Sequence, residues 1–108
     1  MVLELDPTEV ARKLRTTPEK VVLLDVREPF ERELAAIHPS VHIPMGEIPS
    51  KADEIPRDRE LIIYCHEGIR SMMVAGFLEG LGFTKVANLT GGIDAWSLKV
   101  DGSIPRYS

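Results

Sequence analysis

Residues 61–71 read Leu-Ile-Ile-Tyr-Cys-His-Glu-Gly-Ile-Arg-Ser. An apolar run with no polar break reads as a strand buried on both faces of a parallel sheet. It delivers the chain to a cysteine. A short loop with a glycine follows, and Arg70 and Ser71 open a helix whose apolar positions are Val74, Phe77, Leu78 and Leu81, with Gly82 set to end it. A second run, Val21-Val22-Leu23-Leu24, ends on Asp25 in the same way. Strands alternating with helices predict α/β architecture: one domain over residues 1–108, with a mainly parallel five-stranded sheet flanked by helices on both faces. Ligands of such sheets bind beyond the carboxyl ends of strands. Two sharp features fall at such ends: Asp25-Val26-Arg27 and the segment from Cys65 to Ser71.

The remaining elements follow from punctuation. Val2 to Leu5 is a short strand. Asp6-Pro7-Thr8-Glu9 reads as a helix start, with Asp6 as cap, Pro7 in the first helical position and Glu9 closing a capping box. Pro18 ends that helix. Pro29 to Leu34 is a short helix, Val41 to Ile43 a strand stopped by Pro44, and Ile48 to Ile55 a loop with a helical turn. Lys85 to Leu89 is the last strand. Gly91-Gly92 precedes a helix from Ile93 to Leu98, and the tail from Asp101 is turn-rich. Met72, Met73 and Trp96 are expected in the core. Gly76 and Gly80 are expected to permit close helix–sheet approach.

The loop after Cys65 has a chemical logic. A tight turn into a helix points successive backbone N–H groups inward and makes an anion nest, to which the helix N-terminus adds positive potential. Arg70 is expected to add a full charge nearby. A thiol in such surroundings gives up its proton more readily than a free one. Cys65 is therefore the candidate nucleophile, with the loop as its charge stabiliser. A bland reading exists, since free cysteine is often a small buried apolar residue. The coincidence of strand, glycine, arginine and helix start favours the functional one. His66 and Glu67 either ring the pocket or point to solvent. Asp25 and Arg27 are expected to brace the loop rather than to bind substrate.

Composition narrows the classes. The chain has 108 residues, 44% hydrophobic and 28% charged, which is ordinary for a globular domain. A net charge of −4 argues against nucleic acid as the main ligand. No apolar run approaches a membrane span, and the N-terminus does not read as a signal peptide. The single cysteine rules out an internal disulfide and a cysteine-rich metal site, and fits a reducing, cytoplasmic setting. His38 and His42 are four apart, but Pro39 between them argues against a helical metal pair. One asparagine and no glutamine suggest a thermophilic source.

With these residues in view, the sequence resembles the rhodanese-like (sulfurtransferase) domain family along nearly its whole length. Residues 23–31, LLDVREPFE, resemble the family's early strand and turn. VHIP at 41–44 resembles its third strand, and IIYCHEGIRS at 62–71 its catalytic loop. GFTKVANLTGGIDAW at 82–96 is similar to its closing strand, glycine pair and tryptophan helix. The resemblance implies a sulfane sulfur carried as a persulfide on Cys65. Amides of His66, Glu67, Gly68, Ile69 and Arg70 would cradle it, with Ser71 capping the helix or donating to the bound anion. It implies a small-molecule donor such as thiosulfate, an acceptor such as cyanide, a thiol or a partner protein, and no cofactor. The family's usual turn before the third strand is close to GHIPGA. Residues 35–40 here read AAIHPS, so another conformation is expected there. Two rivals stand beside this reading. A cysteine-dependent phosphatase or arsenate reductase is disfavoured because phosphatase chemistry needs Cys-x5-Arg, and the residue six after Cys65 is Ser71. A non-enzymatic rhodanese-like binding module is disfavoured because the loop keeps its cysteine.

Overall fold

The computed structural model describes residues 1–108. Its strands are β1 (Leu3–Leu5), β2 (Val21–Asp25), β3 (Val41–His42), β4 (Glu60–Tyr64) and β5 (Val86–Leu89). They form one sheet in the order β1-β5-β4-β2-β3, and every pairing is parallel. The helices are α1 (Pro7–Thr16), α2 (Pro29–Leu34), α3 (Ile48–Lys51), α4 (Ile69–Gly80) and α5 (Gly92–Lys99).

Side chains of a strand point alternately to opposite faces, so a strand buried on both sides feeds two cores. β2 sends Val22 and Leu24 to one core and Val21 and Leu23 to the other. β4 does the same: Leu61, Ile63 and Cys65 on one face, Ile62 and Tyr64 on the opposite face. The first core is covered by Ile48 of α3 and by Val74, Ala75 and Leu78 of α4. The second is covered by Val10 of α1 and by Ile93 and Trp96 of α5. β4 is central and Cys65 follows its last residue.

Local expectations are corrected in four places. Asp6 caps α1 through the Thr8 N–H at 3.0 Å and the Thr8 hydroxyl at 2.5 Å. Glu9 does not return to Asp6, and its carboxylate lies 3.8 Å from Arg12. On α4, Val74 and Leu78 are buried, but Phe77 and Leu81 are exposed, and the small residues Ser71 and Ala75 face inward. Met73 is 59% exposed and so is no core residue. Gly76 and Gly80 have open space where a Cβ would stand, so they serve no close packing contact. Trp96 is buried as expected, and Gly82, at φ +98°, follows the last turn of α4.

The turn over residues 35–40 includes a cis His38–Pro39 peptide. Ser40 Oγ donates to the Ile37 carbonyl at 2.5 Å, and Arg32 donates to Ser40 Oγ and carbonyl at 3.0 and 2.9 Å. The Ile37 N–H donates to the Tyr64 hydroxyl at 3.2 Å, which ties the turn to β4. His42 Nε2 lies 2.7 Å from the Arg27 carbonyl. A carbonyl only accepts, so the proton sits on that nitrogen.

Candidate active site

From Leu61 onward β4 is buried with no charged side chain to stop it, and it carries Cys65 into the sheet's carboxyl edge with 1% of its surface exposed. The chain must then turn sharply to start α4. Gly68 makes that turn at φ +105°, a left-handed conformation that a side chain resists. The turn aims two backbone donors at the sulfur: the N–H of Gly68 at 3.1 Å and that of Ser71 at 3.4 Å. Ser71 Oγ lies 3.3 Å from Sγ and donates its proton to Asn88 Oδ1 at 2.5 Å. Toward a protonated Cys65 it therefore acts as acceptor. Asn88 of β5 also donates to the Gly68 carbonyl at 3.1 Å, so the neighbouring strand holds both ends of the turn.

The start of α5 presses on the outside of the same loop. The N–H groups of Ile93 and Asp94 donate to the carbonyls of Cys65 and His66 at 2.9 and 3.1 Å. This approach requires glycine at position 92. A Cβ there would fall against the His66 carbonyl and 2.6 Å from that of Cys65. Two helix N-termini thus meet the loop, one facing the sulfur and one facing the loop's carbonyls.

Arg70 does not stand free beside the thiol. Its guanidinium makes a two-pronged pair with Glu31 of α2, at 2.7 and 2.8 Å. Hydrogen bonds from Arg70, opposed by burial and helped by the Tyr107 hydroxyl, hold the Glu31 carboxyl at about 2. Glu31 Oε1 also accepts the Glu28 N–H at 3.1 Å. The tail returns here: Tyr107 donates its hydroxyl proton to Glu31 Oε2 at 2.7 Å and accepts from Arg27 at 3.0 Å.

Asp25 and Arg27 are both wholly buried and pair face to face at 2.9 and 2.8 Å. The other Arg27 donors reach the carbonyls of Glu31 and Ala35 and the Tyr107 hydroxyl. Every guanidinium N–H therefore has a partner inside the protein, and none is left for a substrate. Burial pushes the Asp25 carboxyl up, but the Arg27 and Arg32 contacts outweigh it and hold it below the usual range. Tyr64 also donates to Asp25, at 3.1 Å.

The loop residues from Cys65 to Ser71 are thus together at one edge of the sheet, while Asp25 and Arg27 reach them through Glu31, Tyr64 and Tyr107. Glu67 is exposed. His66 is half-buried, and its ring stacks on Tyr107 with centroids 4.1 Å apart. Ile69 is 73% exposed at the head of α4. Sequence reasoning missed Glu31, Asn88 and Tyr107. The lone asparagine drew notice only as composition, and Glu31 lay unremarked inside a quoted motif. No cluster of three or more His, Cys, Asp or Glu side chains is placed to hold a metal ion.

Known proteins resemble this chain along most of its length. A sulfurtransferase of Allochromatium vinosum is 40% identical over 97 residues, which is 90% of each chain. Thiosulfate sulfurtransferase GlpE of Pseudomonas syringae is 36% identical over 90 residues, 83% of each chain. A rhodanese-like domain protein of Staphylococcus aureus has the same fold in its crystal structure. Its TM-score is 0.82 at 28% identity, over 99% of this chain and 100% of that one. Such relatives support sulfurtransferase activity at the level of the family. The family model for the rhodanese-like domain matches residues 6–99, from the cap of α1 to the end of α5, and the chain belongs to that family.

Proposed function

We propose that this chain moves sulfane sulfur from a donor to a thiophilic acceptor through a persulfide on Cys65. The observation that carries the reading is the pair of N–H groups, of Gly68 and Ser71, directed at Cys65 Sγ at 3.1 and 3.4 Å. Donors fixed before reaction hold negative charge on sulfur without reorganising, and both half-reactions pass through such charge.

With thiosulfate, the Cys65 thiolate attacks the outer sulfur. The new S–S bond forms as the old one breaks, and the electron pair leaves with sulfite. The enzyme is then a persulfide anion held by the same loop. In the second step the acceptor, cyanide or a thiolate, attacks the terminal sulfur. The electron pair returns to Cys65, which is again a thiolate. Thiocyanate or a new persulfide departs. Neither step needs a metal or an organic cofactor.

Phosphoryl transfer fits less well. An arginine serving a phosphoryl group must be free to face its oxygens, and Arg70 is committed to Glu31. Arg27 has no exposed surface at all.

The test is intact mass before and after incubation with thiosulfate, beside Cys65→Ser. The expected result is a gain of one sulfur atom that cyanide removes and the variant never acquires. A cysteine desulfurase loaded with its own persulfide serves as the second donor. No gain from either donor would overturn the reading.

A further inference from the structure

The tail over residues 101–108 has no regular secondary structure, yet it is fastened to the body at three points. Ser97 Oγ donates to the Ile104 carbonyl at 2.6 Å. Arg106 pairs with Asp94 of α5 through two contacts, at 2.9 and 3.1 Å. Tyr107 lies on the active-site side, with its ring parallel to that of His66 within 14° and its hydroxyl between Glu31 and Arg27.

These contacts touch the Cys65 loop from both ends. His66 directly follows the nucleophile. Its carbonyl is fixed by α5, but its ring nitrogen Nε2 is buried without a hydrogen-bond partner. The Tyr107 stack is therefore the contact that orients the ring. Arg70 closes the loop, and its anchor is Glu31, whose second oxygen is oriented by the Tyr107 hydroxyl. A single side chain from the tail thus acts on the residues one and five places after Cys65 in the same turn.

We propose that Tyr107 is a positioning residue for sulfur transfer: its ring sets His66 at the mouth of the Cys65 loop and its hydroxyl orients the Glu31 anchor of Arg70. This rests on the persulfide reading above. Tyr107 touches no reacting atom; it acts through His66 and Glu31.

The test uses the full chain with Tyr107→Phe, which keeps the ring and loses the hydroxyl, and Tyr107→Leu, which loses both. Each is measured alone and in a His66→Ala background, well below its melting temperature. Sulfur transfer supplies kcat and KM. The rate of Cys65 alkylation by iodoacetamide reports loop geometry without sulfur chemistry. Tyr107→Leu is expected to lower kcat/KM about tenfold, mainly through KM, and Tyr107→Phe about two- to threefold, with the ring's share vanishing once His66 is alanine. Alkylation rates should change in the same pattern. The inference is overturned if Tyr107→Leu melts earlier but keeps wild-type kcat/KM and alkylation, or if its effect is undiminished beside His66→Ala. Should wild-type protein acquire no sulfur from any donor, the functional reading fails, and the alkylation cycle still decides the role of Tyr107. If Tyr107→Leu does not fold, Tyr107→Phe with Glu31→Gln decides the hydroxyl's part: additive effects would overturn it.

Discussion

Two residues at the site behave differently from what their types suggest. Cys65 is buried like a core residue, yet its sulfur accepts from two amides, which an apolar core position would not supply. Cys65→Ser should keep those donors satisfied through Oγ. We expect its urea midpoint to stay close to wild type while transfer is abolished, since a hydroxyl is neither acidic enough nor nucleophilic enough at neutral pH. The sequence predicts that Arg70 lends its charge to the thiol, but its guanidinium is held by Glu31. The partner was invisible because Glu31 is 39 residues away, on another helix. Arg70→Ala leaves a nearly buried carboxylate with only Tyr107 and one amide. Since Arg70 is itself partly open to solvent, the loss should be about 1–3 kcal/mol, below that of a wholly buried pair. Arg70→Lys should recover only part, because a point charge cannot reproduce a two-pronged contact. Denaturant curves on the pair measure both. Unchanged stability in Arg70→Ala would mean that the Glu31 contact contributes nothing in solution.

At the scale of elements, strands were more legible than helix faces. Val21 to Leu24 in β2 and Leu61 to Tyr64 in β4 are continuous runs without a charge, and burial on both faces leaves no phase to misjudge. Helix α4 does have a phase, and large residues misled it. Its inner face is lined partly by Ser71 and Ala75, while Ile69, Met73 and Phe77 form an exposed apolar row. Hydrophobicity alone cannot tell which side of such a helix meets the sheet. The junction of α5 with the loop was half legible. The glycine pair was evident, but not that Gly92 lets two carbonyls approach its Cα. Gly92→Ala has two penalties, a left-handed φ of +62° and a Cβ 2.6 Å from the Cys65 carbonyl oxygen. The strain alone is worth about 1–3 kcal/mol, and relief of the clash must move α5 off the loop. We expect lower stability together with slower persulfide formation, measured by denaturation and by mass after a timed thiosulfate pulse. A stable variant reacting at the wild-type rate would show that the α5 contact does not shape the loop.

For the whole molecule, the least legible feature is the convergence of β2, α2, β4 and the tail on one buried polar network. Tyr107 lies 80 residues from Arg27, and no local pattern in a turn-rich tail says where its side chain goes. That network predicts how stability depends on pH at both extremes. On the acid side, Glu31 is held at about 2, against 4.5 unperturbed, chiefly by Arg70. A depressed carboxyl contributes stability that is present above the unfolded value and is lost as pH falls through the folded one. The fall should therefore begin near pH 4.5 and continue toward 2, with Asp25, shifted in the same direction, adding to it. On the alkaline side, burial lifts the Tyr107 hydroxyl to about 12, against 10.0 unperturbed, with Arg27 pulling it back and Glu31 adding to the rise. Between those values the unfolded chain releases this proton and the folded chain keeps it, so stability falls as pH rises. Tyr64, raised mainly by burial, acts in the same sense. Urea midpoints of wild type, Glu31→Gln and Tyr107→Phe across the pH range separate the contributions. Glu31→Gln should be less stable at neutral pH but flatter on the acid limb. Tyr107→Phe should be flatter chiefly on the alkaline limb, where Tyr64 still titrates, and slightly flatter on the acid limb, since its hydroxyl helps to depress Glu31. Parallel curves for all three proteins would mean that the tail and α2 do not close over Arg27 and Arg70 in solution. Each variant mainly changes one end of the profile, and its smaller effect at the other end measures the Glu31–Tyr107 contact.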